Sequence, residues 1–256
     1  MAAYEPTSSK AVNFVKRLRE RAHYDHETVH KILDAGLLAH VGFKVPKKKN
    51  SVESDAEDSD DQYPNVIPMI FCRIGQTIYL HGYISGRVVK ALSGPVAGSN
   101  SEEQAPKATV TVSIMDGLIV ALSSMHNSNN YRSVCCFGKA RLVEDRDEKI
   151  RALTEIVDKQ FLGGKKWDDS REINDIEYKT TRVVAIDIEA ASAKKKFSGP
   201  KDDKEDIENP EVVKKIWTGV IPIKSVFGKP EDSEYNEAQI PEYISNLENK
   251  SIYLYQ

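Results

Sequence analysis

Apolar positions recur every three to four residues over the first 36 residues of the chain and predict two helices. The first covers about residues 9–21 and the second about residues 25–36. The second helix has an N-cap signal at Asp25 and a C-terminal stop signal at Gly36. We therefore expect the chain to open with a helical segment.

Short apolar and alternating runs then predict a series of strands, joined mainly by hairpins. The predicted strands cover about residues 37–45, 66–74, 77–82, 108–115, 118–124, 132–143, 181–189 and 215–223. Asp116-Gly117 is the strongest short hairpin signal in the chain. Further helices are expected near residues 85–92, 147–161 and 241–247, and residues 193–209 are expected to form a loop. This pattern favours a mainly β barrel or sandwich with flanking helices over a doubly wound parallel sheet.

Composition excludes several classes of protein. The 256 residues carry a formal net charge of −3, without the basic excess expected of a nucleic-acid-binding protein. No apolar run approaches the roughly 18 residues that a membrane helix needs, and no signal-peptide pattern is present. Three cysteines without framework spacing are typical of a reducing compartment. We expect a cytoplasmic protein, with the nucleus as an alternative because Lys47–Lys49 could act as a nuclear signal.

Common catalytic motifs are missing from the sequence. It contains no dinucleotide-binding glycine motif, no P-loop and no nucleophile elbow. His26 and His30 lie four residues apart, but no pattern supplies the further ligands that a zinc site needs. We therefore expect no metal site of this kind.

Three segments are more polar or aromatic than packing requires: residues 81–87, 126–133 and 217–222. In the first, Ser85 and Arg87 lie where a strand gives way to a helix. A hydroxyl and a guanidinium at that position can bind phosphate, although a plain N-cap with a surface arginine has the same sequence. In the third, Trp217 could stack on a bound ring or simply cap the core.

These segments, in this order, resemble the flavin-nucleotide-binding branch of the pyridoxamine 5′-phosphate oxidase-like family, which includes 5-nitroimidazole-resistance reductases. The matching motifs are Arg21-Ala22-His23-Tyr24-Asp25, Ile32-Leu33-Asp34-Ala35-Gly36, His40-Val41-Gly42-Phe43, Ile67-Pro68, Tyr79-Leu80-His81-Gly82, Ser85-Gly86-Arg87, Asp116-Gly117-Leu118, Asn130-Tyr131-Arg132-Ser133-Val134, Phe137-Gly138, Ser192-Ala193-Lys194 and Trp217 to Pro222. Each motif is weak by itself, whereas the ordered set is specific.

The resemblance implies a homodimeric FMN-binding split β-barrel over residues 25–229, preceded by the helical segment 1–24 and followed by a tail over 230–256. An acidic insertion over 47–62 is expected to be a mobile loop because it has little apolar content. The implied flavin-binding residues are His81, Gly82, Ser85, Gly86, Arg87, Tyr131, Arg132, Ser133, Lys194 and Trp217. Within this set, Ser85 and Arg87 would bind the phosphate, and Trp217 would close the pocket from the other subunit.

The function implied is an FMN-dependent oxidoreductase acting on a small molecule, with His81 and Tyr131 as candidates for proton delivery. The substrate could be pyridoxamine or pyridoxine 5′-phosphate, because Lys194 and Lys196 could hold its phosphate, although lysines of a solvated loop would have the same sequence. The alternative is a non-catalytic binder of FMN, pyridoxal phosphate or haem on the same scaffold. In the haem case, His81 or His126 would ligate the iron.

Overall fold

The computed structural model describes residues 2–45, 63–93 and 105–253, so the predicted acidic insertion lies outside the described residues. Eight strands are present in these ranges: β1 Ala22–His23, β2 Leu38–Phe43, β3 Asn65–Ile74, β4 Thr77–Tyr83, β5 Lys107–Val120, β6 Ser128–Leu142, β7 Thr181–Lys196 and β8 Gly219–Pro222. The helices are α1 His26–Ala35, α2 Arg87–Leu92, α3 Arg146–Gln160, α4 Asp175–Thr180, α5 Lys204–Ile207, α6 Pro210–Val213 and α7 Glu242–Ser245.

Six of the strands close into an antiparallel barrel. Its order is β7-β4-β3-β2-β5-β6, and pairing of β6 with β7 completes the circle. The short strand β1 adds to β7, and β8 adds to β5. The expected mainly β split barrel is therefore confirmed, and closure removes the open edges that an incomplete sheet would expose.

The barrel interior forms the main core, because alternate residues of each strand point inward. Fully buried side chains from four strands meet there: Val41, Phe71, Leu80 and Val110. Helix α1 contributes Val29 and Leu33 to the same cluster, and α2 contributes Leu92.

A second, smaller core lies on the outer side of the barrel, under α3. It contains Tyr79 from β4, Val183 from β7, and Leu153 and Ile156 from α3. The alternation along β4 explains both cores, because Ile78 and Leu80 face the interior while Tyr79 faces α3.

The prediction of an opening helix over residues 9–21 is wrong. These residues form turns, followed by a single 3-10 turn at Arg19–Arg21, and Leu18 has a positive φ of 56°. The side chain of Asn13 is buried and donates hydrogen bonds to the carbonyl oxygens of Tyr4 and Ala191. This contact with β7 anchors the segment to the barrel in a non-helical conformation. The spacing of apolar residues could not reveal this hydrogen bond between distant parts of the chain.

The prediction of a hairpin turn at Asp116-Gly117 is also wrong. Strand β5 continues through both residues with a bulge between Met115 and Gly117, and the chain reverses at a 3-10 turn, Ser124–His126. Residues 117–120 pair with β8, and the Asp116 carboxylate binds Arg132 of β6. Long-range partners therefore outweigh the local turn preference.

Strand lengths differ from the predictions at two further places. Strand β7 continues to Lys196, so the predicted loop over 193–209 begins later and contains the short helices α5 and α6. The predicted strand over 215–223 is reduced to the four residues of β8, which leaves Trp217 outside it.

Candidate functional site

The predicted phosphate-binding residues lie between the end of β4 and the start of α2. The Gly86 N–H donates to the Tyr83 carbonyl oxygen at 2.7 Å, which closes a tight turn, and the helix starts at Arg87. Arg87 donates to the side-chain oxygen of Asn65 at 3.2 Å, and both Arg87 and Ser85 are exposed. Because Asn65 is neutral, the Arg87 charge has no carboxylate partner within the described ranges and is available to an anion.

The neighbouring residues His81 and Gly82 have different surroundings. The Nδ1 atom of His81 is buried and has no hydrogen-bond partner among the described residues. Burial lowers the pKa of His81, so its imidazole is neutral near pH 7. At Gly82, a Cβ atom would lie 2.9 Å from Cγ2 of Val89, so this glycine lets α2 pack closely on β4.

A second group of predicted site residues meets where β6 begins and β7 ends. In the register of these strands, Tyr131 pairs with Lys196, Arg132 with Lys195, and Ser133 with Lys194. The structure thus brings Lys194 beside the Tyr131–Ser133 segment. The Lys194 Nζ donates to the Arg17 carbonyl oxygen at 3.1 Å, and the Lys196 Nζ donates to Ser128 Oγ at 2.8 Å.

Arg132 has a buried acidic partner that sequence reasoning missed. Its Nε and one terminal nitrogen donate to the two carboxylate oxygens of Asp116 at 3.0 and 2.7 Å. Only 12% of the Arg132 side chain and 9% of the Asp116 side chain are exposed. This bidentate pair gives Arg132 a structural role between β5 and β6, whatever else it contacts. The pairing could not be found without the strand register.

The remaining aromatic candidate, Trp217, precedes β8. Its side chain is 62% exposed, and its ring lies close to Gly219, where a Cβ atom would come within 2.8 Å of it. The core-capping interpretation of Trp217 is therefore not supported, because a capping ring would be buried.

His126, the other haem-ligand candidate, lies in the 3-10 turn between β5 and β6. Its Nδ1 is 3.9 Å from an Asp202 carboxylate oxygen, and its Nε2 is 3.9 Å from one of Asp203. Nδ1 is buried without a hydrogen-bond partner among the described residues. Two carboxylates thus flank this imidazole, unlike that of His81.

The two groups of candidate residues lie at opposite ends of β7. Tyr83, just before Ser85–Arg87, pairs with Thr181, the first residue of β7. Ser133 pairs with Lys194 near the end of that strand. At about 3.3 Å per residue, the thirteen steps between Thr181 and Lys194 span roughly 40 Å along the strand. The two groups of predicted site residues are thus separated along β7.

Neither a metal-binding cluster nor a membrane-spanning helix is present in the part of the chain that the structure describes. Among residues 2–45, 63–93 and 105–253, no group of three or more His, Cys, Asp or Glu side chains is arranged to hold a metal ion. None of the helices within those residues is both long and apolar enough to cross a membrane.

Comparison with solved structures agrees with this architecture. The chain is similar to the flavocytochrome Anf3 of Azotobacter vinelandii, with 35% identity, a TM-score of 0.72, and coverage of 93% of this chain and 97% of that one. It is also similar to an FAD- and haem-binding protein of Mycobacterium smegmatis, with 24% identity, a TM-score of 0.72, and coverage of 91% and 100%. A candidate 5-nitroimidazole antibiotic resistance protein of Bacteroides thetaiotaomicron aligns at 21% identity with a TM-score of 0.47, covering 68% and 85%. No curated protein matches the sequence significantly.

The closed antiparallel barrel, shared with the flavocytochrome structure, defines the class of fold: a split-barrel protein. A family model described as pyridoxamine 5′-phosphate oxidase matches residues 25–195. The chain belongs to that family, as its sequence motifs indicate.

Proposed function

We propose that this chain is a flavin-dependent redox protein that binds FMN between two copies of itself. The observation that carries the proposal is the similarity to a flavocytochrome at 35% identity over nearly the whole of both chains. When bound, the flavin supplies hydride or electron transfer, and the protein supplies binding, orientation and electrostatics.

The phosphate of FMN would be bound by Ser85 and Arg87. The charge on Arg87 meets only a neutral amide among the described residues, and both side chains are exposed, so a phosphate could reach them without displacing an ion pair. A charge-assisted hydrogen bond of this kind contributes about 1.5–3 kcal/mol. An exposed hydroxyl and an exposed guanidinium thus fit the requirements of a phosphate group.

The remaining flavin contacts would come from the second copy. Tyr131, Ser133 and Lys194 lie toward the other end of β7 from Arg87, which suits a site to which two chains contribute. The outer face of β2 and β3 exposes Leu38, paired with Ile70, and such a face suits a subunit interface. The exposed Trp217 would then contact the flavin of the partner.

Proton delivery to a small-molecule substrate would use Tyr131 or His81. The lowered pKa of His81 keeps its imidazole neutral near pH 7, so it can accept a proton at one nitrogen. We also place the protein in the cytoplasm, because Cys72, Cys135 and Cys136 are all free thiols, as in proteins of reducing compartments.

The proposal is tested by binding. The protein, as purified, should carry a flavin that is released on denaturation and co-elutes with FMN in chromatography against FMN, FAD and pyridoxal phosphate standards. Arg87→Ala should raise the dissociation constant of FMN about ten- to hundredfold. The control is Arg171→Ala, since Arg171 is exposed and paired with Glu177. Equal FMN affinity of Arg87→Ala and the unchanged protein would show that the phosphate binds elsewhere, and release of FAD instead would correct the cofactor.

A second candidate function is haem binding at His81. The imidazole of His81 is neutral near pH 7, as an iron ligand must be, its Nδ1 has no hydrogen-bond partner among the described residues, and the 35%-identical relative is a flavocytochrome. His126 is the weaker candidate because Asp202 and Asp203 flank it. Haem added to the apoprotein should give a Soret band that His81→Ala shifts or removes and His126→Ala leaves unchanged. The same Soret band in His81→Ala would exclude this ligand.

A further inference from the structure

A cavity of about 420 Å³ lies between α1, β3, α3 and the C-terminal segment. It includes none of the residues of the candidate flavin site. Its charged lining residues are Asp34, Arg73, Glu155, Asp158 and Lys159, and Ile252 of the C-terminal segment forms part of the wall.

Lys159 is the unusual residue of this cavity. Its Nζ donates to the Leu33 carbonyl oxygen at 3.1 Å and lies 3.5 Å from the centre of the Phe71 ring. It forms no ion pair with a carboxylate of the described chain, whereas the other cation, Arg73, makes a bidentate contact with Asp34 at 2.9 and 2.6 Å. Lys159 is therefore a lining residue whose amine has no carboxylate partner among the described residues, in a cavity large enough for a small organic molecule.

The surroundings of this amine favour its neutral form. Desolvation by burial is the main cause that lowers the pKa of Lys159, from 10.5 to about 8. At pH 7.4 about one fifth of the amine is then uncharged, compared with about 0.1% for a solvated lysine. Only the uncharged amine is a nucleophile.

We propose that this cavity binds a small neutral aldehyde, which forms an imine with Lys159. The Nζ lone pair attacks the carbonyl carbon, and the resulting carbinolamine loses its hydroxyl group and a nitrogen proton as water. One aldehyde and one amine thus give one imine and one water, and no oxidant or reductant is consumed.

The charge of the cavity sets the class of aldehyde. Three carboxylates, Asp34, Glu155 and Asp158, face two cations, Arg73 and Lys159, one of which is partly uncharged. An anionic aldehyde would meet net repulsion there. A volume near the lower end of the range for ligand cavities limits the occupant to about the size of a single substituted ring.

Reductive trapping tests the proposal on the full chain. The protein is incubated with benzaldehyde and sodium cyanoborohydride at pH 7.4, and the benzylated lysines are mapped by peptide mass spectrometry. We expect one preferred label, on Lys159, whose rate saturates with benzaldehyde concentration and rises with pH through a midpoint near 8. The anionic 4-carboxybenzaldehyde should label Lys159 at least tenfold more slowly.

The same molecule contains a matched control in Lys149. This amine is also buried, donates to the Tyr178 carbonyl oxygen at 2.6 Å and lies 3.8 Å from the Tyr178 ring centre, and burial lowers its pKa. It is not part of the cavity, so it should stay unlabelled. Lys159→Arg should abolish the preferred label. Labelling of Lys159 no faster than that of Lys149 or exposed Lys31 would overturn the proposal, as would equal rates for the two aldehydes.

Discussion

Replacing Asp116 with alanine should destabilise the protein strongly, because it leaves the Arg132 guanidinium buried without its carboxylate. The pair is bidentate, and about nine-tenths of each side chain is removed from solvent. Removing one partner of a buried ion pair costs about 3–5 kcal/mol, mainly through the charge that remains. We take about 3 kcal/mol, since the pair retains some contact with water.

For a chain of this size, each kcal/mol shifts the melting temperature by about 2–4 °C, so Asp116→Ala should lower it by roughly 6–12 °C. Urea unfolding followed by circular dichroism, at matched protein and flavin concentrations, measures the free-energy loss directly. The control is Glu27→Ala, which removes the exposed ion pair between Glu27 and Lys31 and should cost no more than about 0.5 kcal/mol.

A double variant separates charge burial from a general packing defect. Asp116→Leu combined with Arg132→Met replaces the pair by apolar groups and should recover at least half of the loss, because no buried charge remains. A loss below about 1 kcal/mol for Asp116→Ala would refute the structural role of the pair, since an exposed ion pair costs no more than that. The double variant also shows whether FMN binding needs Arg132 itself.

Three further predictions follow from packing, titration and assembly. Gly138→Ala should destabilise the protein by about 2 kcal/mol or more in urea unfolding, because the added Cβ would lie 2.1 Å from the Asp187 carbonyl oxygen. The control is Gly42→Ala, whose added Cβ would have its nearest neighbour at 3.7 Å and should change the stability little. Equal losses of stability in the two variants would contradict the prediction. Burial, followed by the charges of Arg73 and His26, lowers the pKa of His30 below 6.5. The unfolded chain therefore takes up a proton at this histidine before the folded protein does, and the stability should fall as the pH drops below about 6.5. Between pH 7.5 and 5, the melting temperature of His30→Gln should decline less steeply than that of the unchanged protein, and equal slopes would contradict the prediction. Light scattering of the unchanged protein at micromolar concentration should give twice the 28.7 kDa chain mass. Ile70→Glu, on the exposed face of β2 and β3, should lower the measured mass toward 28.7 kDa. A measured mass of 28.7 kDa for the unchanged protein would exclude the dimer.

Elements with local signals were predictable from the sequence. Helix α1 starts after Asp25, whose side chain accepts from the Thr28 N–H, and its apolar positions Val29, Ile32 and Leu33 are buried as their spacing indicated. The β3–β4 hairpin turns at Gly75, which has a positive φ of 62°. In both cases the cap or turn residue and the spacing of the apolar residues indicate the same element, so it could be predicted without knowledge of a distant partner.

Elements decided by distant partners were not predictable. The apolar spacing of residues 9–21 resembles a helix, yet Asn13 binds a carbonyl oxygen 178 positions later in the chain. Asp116-Gly117 is a good turn sequence, yet Arg132 and β8 hold it inside a strand. Such competition between local preference and tertiary contact is settled only by the strand register.

The residue types of the candidate site were predictable, but their arrangement was not. The polar segment over 126–133 and Lys194 are more than 60 positions apart, and only the β6–β7 register places them together. Residue type also could not show that Arg132 has a carboxylate partner while Arg87 has none among the described residues. Both are arginines in polar segments, and their different roles come from what lies on the neighbouring strands.

The positions of these two arginines along β7 also bear on why a second chain is proposed. Arg87 follows β4 near the first residue of β7, and Arg132 pairs with Lys195 near its last. In a pair of chains related by a two-fold axis, every contact across the interface occurs twice, with the roles of the two chains exchanged. Two equivalent sites then arise, each with Ser85 and Arg87 from one copy and Tyr131, Ser133 and Lys194 from its partner. A single mutation at either end should therefore affect both sites equally, and mixing Arg87→Ala chains with Tyr131→Ala chains should restore one intact site per mixed dimer. About half of the sites in such mixed dimers should bind FMN with the affinity of the unchanged protein, and neither variant alone should show sites of that affinity. If mixing restores no such sites, each chain builds its site alone.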